Sequence, residues 1–161
     1  MNNRYLMTFL FIAFFAIGSN AQQKYTVSIG GGYSSYKASG NAKNTSGLGI
    51  DLMAKATLSE SVEAFAQTGY NAYLNNGFNV AYIPMLLGAN IKFNDFKVGM
   101  GIGYGSSTAG GSTKGGFTYS PQIGYKINKL DLVVHYTSTN ISDRGTGTWN
   151  MVGLKILHTL F

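Results

Sequence analysis

From Tyr25 onward the chain alternates, a bulky apolar residue followed by a glycine or a small or polar one, in segment after segment. Period two sends successive side chains to opposite faces of an extended strand, whereas an amphipathic helix repeats every 3.6 residues. Tyr25, Val27 and Ile29 alternate with Thr26, Ser28 and Gly30. Leu48, Ile50, Leu52, Ala54, Ala56 and Leu58 oppose Gly49, Asp51, Met53, Lys55 and Thr57. Ala81, Ile83, Met85, Leu87, Ala89, Ile91 and Phe93 oppose Tyr82, Pro84, Leu86, Gly88, Asn90 and Lys92. Phe96, Val98, Met100, Ile102 and Tyr104 oppose Lys97, Gly99, Gly101 and Gly103. Phe117 to Ile127 and Leu130 to Thr137 continue the pattern, and weaker segments cover 62–73 and 148–161. The reading is eight strands.

The connections carry a second signal. Ser59 to Ser61, Asn94-Asp95 and Asn128-Lys129 are short and built of residues that tolerate hairpin dihedrals. Ala38 to Thr45, Leu74 to Gly77, Ser106 to Gly115 and Thr139 to Gly147 are mostly longer and rich in Gly, Ser, Thr and Asn. Short and long connections alternate along the chain, so an antiparallel meander gathers the short turns at one end. A transmembrane barrel has this asymmetry, with short turns in the periplasm and longer loops outside.

Only 11% of the residues are charged, against the quarter usual in soluble domains, and 22 are glycine. An eight-stranded barrel has an interior just wide enough for side chains. Gly30, Gly49, Gly69, Gly99, Gly101, Gly103 and Gly124 suit that space, which turns the larger apolar residues outward. In water such a face would far exceed the largest apolar patch of a monomer. In hydrocarbon it is favourable, and closure pairs the backbone groups. The aromatics gather near the strand ends, as interfacial girdles do. Tyr70, Tyr104, Phe117, Tyr119 and Tyr136 lie toward the long-loop end, and Tyr25, Phe93, Phe96 and Tyr125 toward the short-turn end. Tyr73 and Trp149 also lie toward the long-loop end, with the inward direction open to them.

The N-terminus reads as an address. Arg4 precedes an apolar run from Tyr5 to Ile17, and Ser19 and Ala21 fit an A-x-A-like cleavage site. This is a secretory signal order, too short for a transmembrane helix. Residues 1–21 are thus expected to be removed as a signal peptide, leaving 22–161 as one barrel domain. Losing Arg4 lowers the formal charge from +6 to +5, too weak and scattered for nucleic acid. Without cysteine there is no disulfide framework, thiolate metal site or cysteine-linked lipid anchor, and no metal or cofactor is expected.

Together the signal peptide, eight alternating strands, short Asn-containing turns and terminal Phe161 resemble the small outer-membrane β-barrel family of OmpA- and OmpX-type proteins. The resemblance covers the mature chain and is one of pattern rather than motif. It implies an all-β, eight-stranded antiparallel up-and-down transmembrane barrel in a Gram-negative outer membrane, with both termini periplasmic. It also implies contact with outer-membrane lipid and lipopolysaccharide, and a barrel-assembly machinery that reads the terminal phenylalanine. A monomer is expected. Val152, Leu154, Ile156 and Leu160 set an outward phase that turns Phe161 inward by one residue, so either a bulge shifts the phase or the terminal signal is imperfect.

The polar residues of the inward face form a candidate lumen network of Asp51, Lys55, Glu63, Lys92, Lys97, Gln122, Lys126, Asp131 and His135. Taking Asn128-Lys129 as a two-residue turn sets Lys126 opposite Asp131, an expected cross-strand pair, and Gln122 opposite His135. Asn94-Asp95 sets Lys92 opposite Lys97, a like-charge pair that needs an acid or water nearby. Glu63 and Lys55 approach diagonally. Two functions are open to such charges, an ion path or a polar plug that fixes the register, and the plug is favoured at this size. Pro84 and Pro121 each remove a ladder donor inside a strand, so local bulges are expected there.

Catalytic signals are thin. The Gly99-x-Gly101-x-Gly103-x-Gly105 run lacks the following helix of a dinucleotide loop. His135 and Thr137 are faintly similar to the His-x-Ser motif of outer-membrane lipid A deacylases, but the serine is Thr137 and no acid lies beyond Asp143. A nucleophile without base and orienter is not activated. The expectation is a non-enzymatic envelope protein. The alternatives are a small pore, a lipid A-modifying enzyme or a secreted barrel holding an apolar ligand. In the longer loops Lys37, Lys43, Lys114 and Arg144 outnumber Asp143, a balance suited to lipopolysaccharide.

Overall fold

The computed structural model describes residues 24–38, 44–75, 78–141 and 147–161. These form eight strands: β1 (Tyr25–Ala38), β2 (Thr45–Thr57), β3 (Val62–Asn75), β4 (Phe78–Phe93), β5 (Phe96–Ala109), β6 (Ser112–Ile127), β7 (Leu130–Ile141) and β8 (Gly147–Thr159). Each pairs antiparallel with its sequence neighbours and β8 closes on β1, giving the expected up-and-down barrel. The proposed signal segment, residues 1–21, lies outside the described residues.

The register fixes the barrel's shape. Partners lead from Val27 to Ala54, Ala66, Leu87, Ile102, Tyr119, Ser138 and Asn150, and return to β1 at Lys37, ten residues further on. With a rise of about 3.3 Å per residue and a strand spacing of about 4.7 Å, eight strands and that stagger give a tilt of about 41° and a backbone radius of about 8 Å. So narrow a cylinder is filled by its own side chains.

Face assignment follows the alternation. Ile83, Leu87, Val98 and Ile123 point outward and are 38 to 57% exposed. All nine girdle residues point outward as well, and Tyr33 joins them. On β5 the ends of the band are Phe96 and Tyr104, and on β6 they are Phe117 and Tyr125. Both spans are eight residues, so at this tilt the apolar band between the rings is about 20 Å tall, close to the roughly 25 Å of outer-membrane barrels.

Inside, the expectation of small and polar residues alone is corrected. Two apolar clusters fill the interior, one of Met53, Phe65, Val133 and Leu157, the other of Tyr36, Tyr73, Val80, Tyr82 and Met151. The glycines explain how they fit. Bulky inward residues face glycine across the ladder, Phe65 opposite Gly88 and His135 opposite Gly153. A Cβ on Gly88 would lie 2.4 Å from the Phe65 ring, and one on Gly153 would lie 2.5 Å from His135 Nε2. Tyr73 and Trp149 take the inward direction, with the Trp149 ring stacked on Tyr36 at 5.4 Å.

Two expectations change, about the connections and the prolines, and one open alternative is decided. Strand structure continues through most of 106–115, and β5 and β6 are joined by the two-residue turn Gly110-Gly111, with φ of 56° and 78°. Two positive φ angles in succession suit a type I′ hairpin, and paired glycines accept them without strain. The connections at that end are 39–44, 76–77, 110–111 and 142–146, so two of the four are as short as the opposite turns. Second, neither proline makes a bulge. The register is the same on both sides of Pro84 and of Pro121, and pairing merely lapses at 69–70 against 83–84 and at 120–121 against 136–137. The missing donor interrupts one ladder, while the other neighbour continues to pair, Pro84 with Gly105 and Pro121 with Met100. Of the two readings left open for the last strand, the bulge is excluded, because the register of β8 is unbroken. The strand ends at Thr159, and Phe161 lies beyond it with its ring exposed at the mouth of the barrel.

Candidate functional site

The chemistry of this chain is concentrated in the lumen, where inward polar residues from separate strands meet. Near the short-turn end, Asp131 of β7 is the acceptor for two lysines. Lys55 Nζ of β2 lies 2.5 Å from its Oδ2 and Lys97 Nζ of β5 lies 2.8 Å away, all three side chains buried. Lys97 reaches Asp131 by crossing Gly124, its cross-strand partner; a Cβ there would come within 2.6 Å of the lysine Cε. A carboxylate shared by two ammonium groups offsets part of the cost of burying them.

Beside it runs an amide relay that ends on a carboxylate. Gln122 Nε2 donates to Asn90 Oδ1 at 2.9 Å, and Asn90 Nδ2 donates to Glu63 Oε1 at 3.1 Å. Deeper in the barrel, Asp51 accepts from Gln67 Nε2 at 2.9 Å and pairs with Lys155 Nζ at 3.5 Å. His135 Nδ1 lies 3.1 Å from Thr137 Oγ1, which in turn lies 2.8 Å from Ser120 Oγ. Toward the other end Tyr73 shares a hydrogen bond with Ser34 and Tyr82 with Thr139. The space left between Asp51, His135 and Lys155 is a cavity of about 20 Å³. That volume is about what one water needs.

The sequence places most of these residues correctly and pairs several of them wrongly. Asp51, Lys55, Lys97, Gln122 and Asp131 are buried in the lumen, and Glu63 and His135 are half-buried there. The register Lys126 opposite Asp131 holds, yet the expected ion pair does not form. Lys126 is exposed at the mouth while Asp131 turns inward to Lys55 and Lys97. Lys92 does lie opposite Lys97, and of these two only Lys97 reaches an acid, Asp131, which it shares with Lys55. Gln122 lies opposite His135 but bonds to Asn90, and Glu63 also bonds to Asn90 rather than to Lys55. Three members were missed: Gln67, Asn90 and Lys155. Parity alone could have found Lys155, which sits between the outward Leu154 and Ile156.

No protein-family profile matches the sequence, and no curated protein does. Among solved structures, Ail, the attachment invasion locus protein of Yersinia pestis, is similar at 14% identity and a TM-score of 0.63, covering 86% of this chain and 98% of that one. A second structure of Ail, in complex with the heparin analogue sucrose octasulfate, is similar at 13% identity and a TM-score of 0.60, covering 86% and 98%. Neisserial surface protein A matches at 12% identity and a TM-score of 0.58, covering 84% and 97%. The fold is that of the small eight-stranded outer-membrane barrels.

Proposed function

We propose that the chain is a non-enzymatic integral protein of a Gram-negative outer membrane, exported by its N-terminal segment. In this reading it acts as a monomeric barrel that supports the envelope and meets its surroundings through the loop end. The observation that carries the reading is the apolar band, closed around the barrel and bordered at both ends by outward aromatic rings. Such a surface is stable only where hydrocarbon replaces water. The filled lumen, with about 20 Å³ free at its centre, favours a plug over a conducting pore. His135 favours a structural role because it faces the lumen, out of reach of a lipid substrate, and its hydrogen-bond partner is Thr137.

The test is fractionation of the native cell followed by gel electrophoresis with and without boiling. The protein should sediment with outer membrane, need detergent for extraction and change mobility on heating. A chain recovered without detergent rejects the proposal.

The partner at the loop end is an anionic saccharide surface, with lipopolysaccharide foremost. Lys37 and Lys114 are exposed there, whereas Lys43, Asp143 and Arg144 lie outside the described residues. The complex of the similar Ail with a heparin analogue favours the same class of ligand. Replacing Lys37, Lys43, Lys114 and Arg144 together should weaken binding to lipopolysaccharide, and unchanged binding removes this part of the proposal.

A further inference from the structure

The opposite end of the barrel is a second place where cations gather. All eight strands contribute to an open vestibule of about 490 Å³ at the short-turn mouth. Six lysines line it: Lys24, Lys55, Lys92, Lys97, Lys126 and Lys129. The acidic side chains that line it are Glu63, Asp95 and Asp131, half as many.

Two of those acids are engaged within the barrel, while Asp95 stands at the rim beside the lysines. Asp131 is held by Lys55 and Lys97 at the floor, and Glu63 accepts from Asn90. At the rim, Lys92 of β4 and Lys126 of β6 have no ion pair among the described residues, and the Asn94-Asp95 turn from β4 to β5 lies between them. The Lys126 amide donates to the Asp95 carbonyl at 2.8 Å, which ties the end of β6 to that turn. A second recess, between the turns, is lined by the same Lys92 and Lys126 with Asn94 and Asn128, and also by Glu60 and Asp95, so the excess of positive charge lies in the vestibule itself. Both asparagines sit in the left-handed region, with φ of 55° and 54°.

We propose that this vestibule binds a phosphate-bearing anion, with Lys92 and Lys126 as its principal ligands and Asn94 and Asn128 as neutral donors beside them. Six lysines around one mouth outnumber its three acidic side chains, and a multivalent anion among them relieves their mutual repulsion. The donor set is lysine without arginine. It offers point charges rather than planar forks, and so suits the several oxygens of a phosphate better than the plane of a carboxylate. The exposed Phe96, Leu160 and Phe161 at the same mouth give an apolar edge beside the charges. That edge makes the headgroup of an anionic phospholipid one source of the phosphate; a soluble phosphorylated compound is the other.

The experiment uses the full folded barrel in zwitterionic detergent, titrated with inorganic pyrophosphate by calorimetry. A parallel arm places it in nanodiscs of phosphatidylcholine with or without phosphatidylglycerol and reads phosphorus NMR of the headgroups. Lys92→Gln/Lys126→Gln is compared with the natural protein and with Lys37→Gln/Lys114→Gln at the far end. The expected result is saturable one-to-one binding that weakens with salt, falls at least tenfold in the mouth variant and is unchanged in the far-end variant. Pyrophosphate binding of this pattern identifies a soluble ligand. Headgroup perturbation of this pattern, without pyrophosphate binding, identifies the lipid. Binding in neither arm, or binding reduced equally by both variants, overturns the proposal. Heat-modifiable mobility checks that each variant is folded.

Discussion

Asp131 is the residue on which the interior turns. It carries two ammonium groups across three strands, and its loss leaves both buried without a counter-charge. Breaking a buried pair by removing one partner costs about 3–5 kcal/mol. Asp131→Asn should therefore lower stability by about that amount in urea unfolding from lipid vesicles. Lys126→Gln should change it by no more than about 0.5 kcal/mol, because Lys126 is exposed and away from Asp131 despite facing it in register. Equal losses in the two variants would mean that the cross-strand pair expected from the hairpin forms after all. The glycines act at the same scale by leaving space. Gly124 lets Lys97 cross to its acid, and Gly153 makes room for the His135 ring.

At the scale of elements, turn geometry decides where each strand stops. Asn94 and Asn128 take positive φ in two-residue turns, which the Asn-containing sequence announces. The Gly110-Gly111 turn is less legible, because Ser106 to Gly115 reads as a loop by composition and becomes strand only when each flank finds its partner. Gly111→Val should destabilise by about 1–2 kcal/mol, the cost of a side chain in the left-handed region. Gly110→Asn should be neutral, because asparagine is accepted in a type I′ turn. Urea midpoints of the two variants check this, and similar losses in both would contradict the turn type. The prolines belong here too. A lapse in one ladder, with the register kept, is less costly in a closed barrel than a bulge that would shift every following side chain to the wrong face.

For the whole molecule the decisive quantity is the apolar band. On β5, Met100 lies midway between the girdle rings Phe96 and Tyr104 and is more than half exposed. Met100→Arg should cost about 2–4 kcal/mol in a bilayer, as a cation at the midplane does. The same change at Tyr104, near the interface, should cost about 1 kcal/mol or less. Equal costs at the two depths, measured by unfolding from vesicles, would remove the membrane assignment of the band. The same band explains why the charged side chains among the described residues lie at the ends and inside the lumen.

The sequence by itself determined the number of strands, the faces of the strictly alternating ones and the register across the Asn94-Asp95 and Asn128-Lys129 turns. Each depends on neighbours in the chain, through strict alternation and the dihedrals a turn residue tolerates. It did not determine which polar residue meets which inside. Lys55 and Asp131 are 76 positions apart. Only closure of a narrow barrel, with its ten-residue stagger, brings β2, β5 and β7 within reach of one carboxylate. Hairpin geometry sees one neighbour at a time, whereas the lumen presents every strand at once. The longest side chains therefore pair across the interior instead of along the wall.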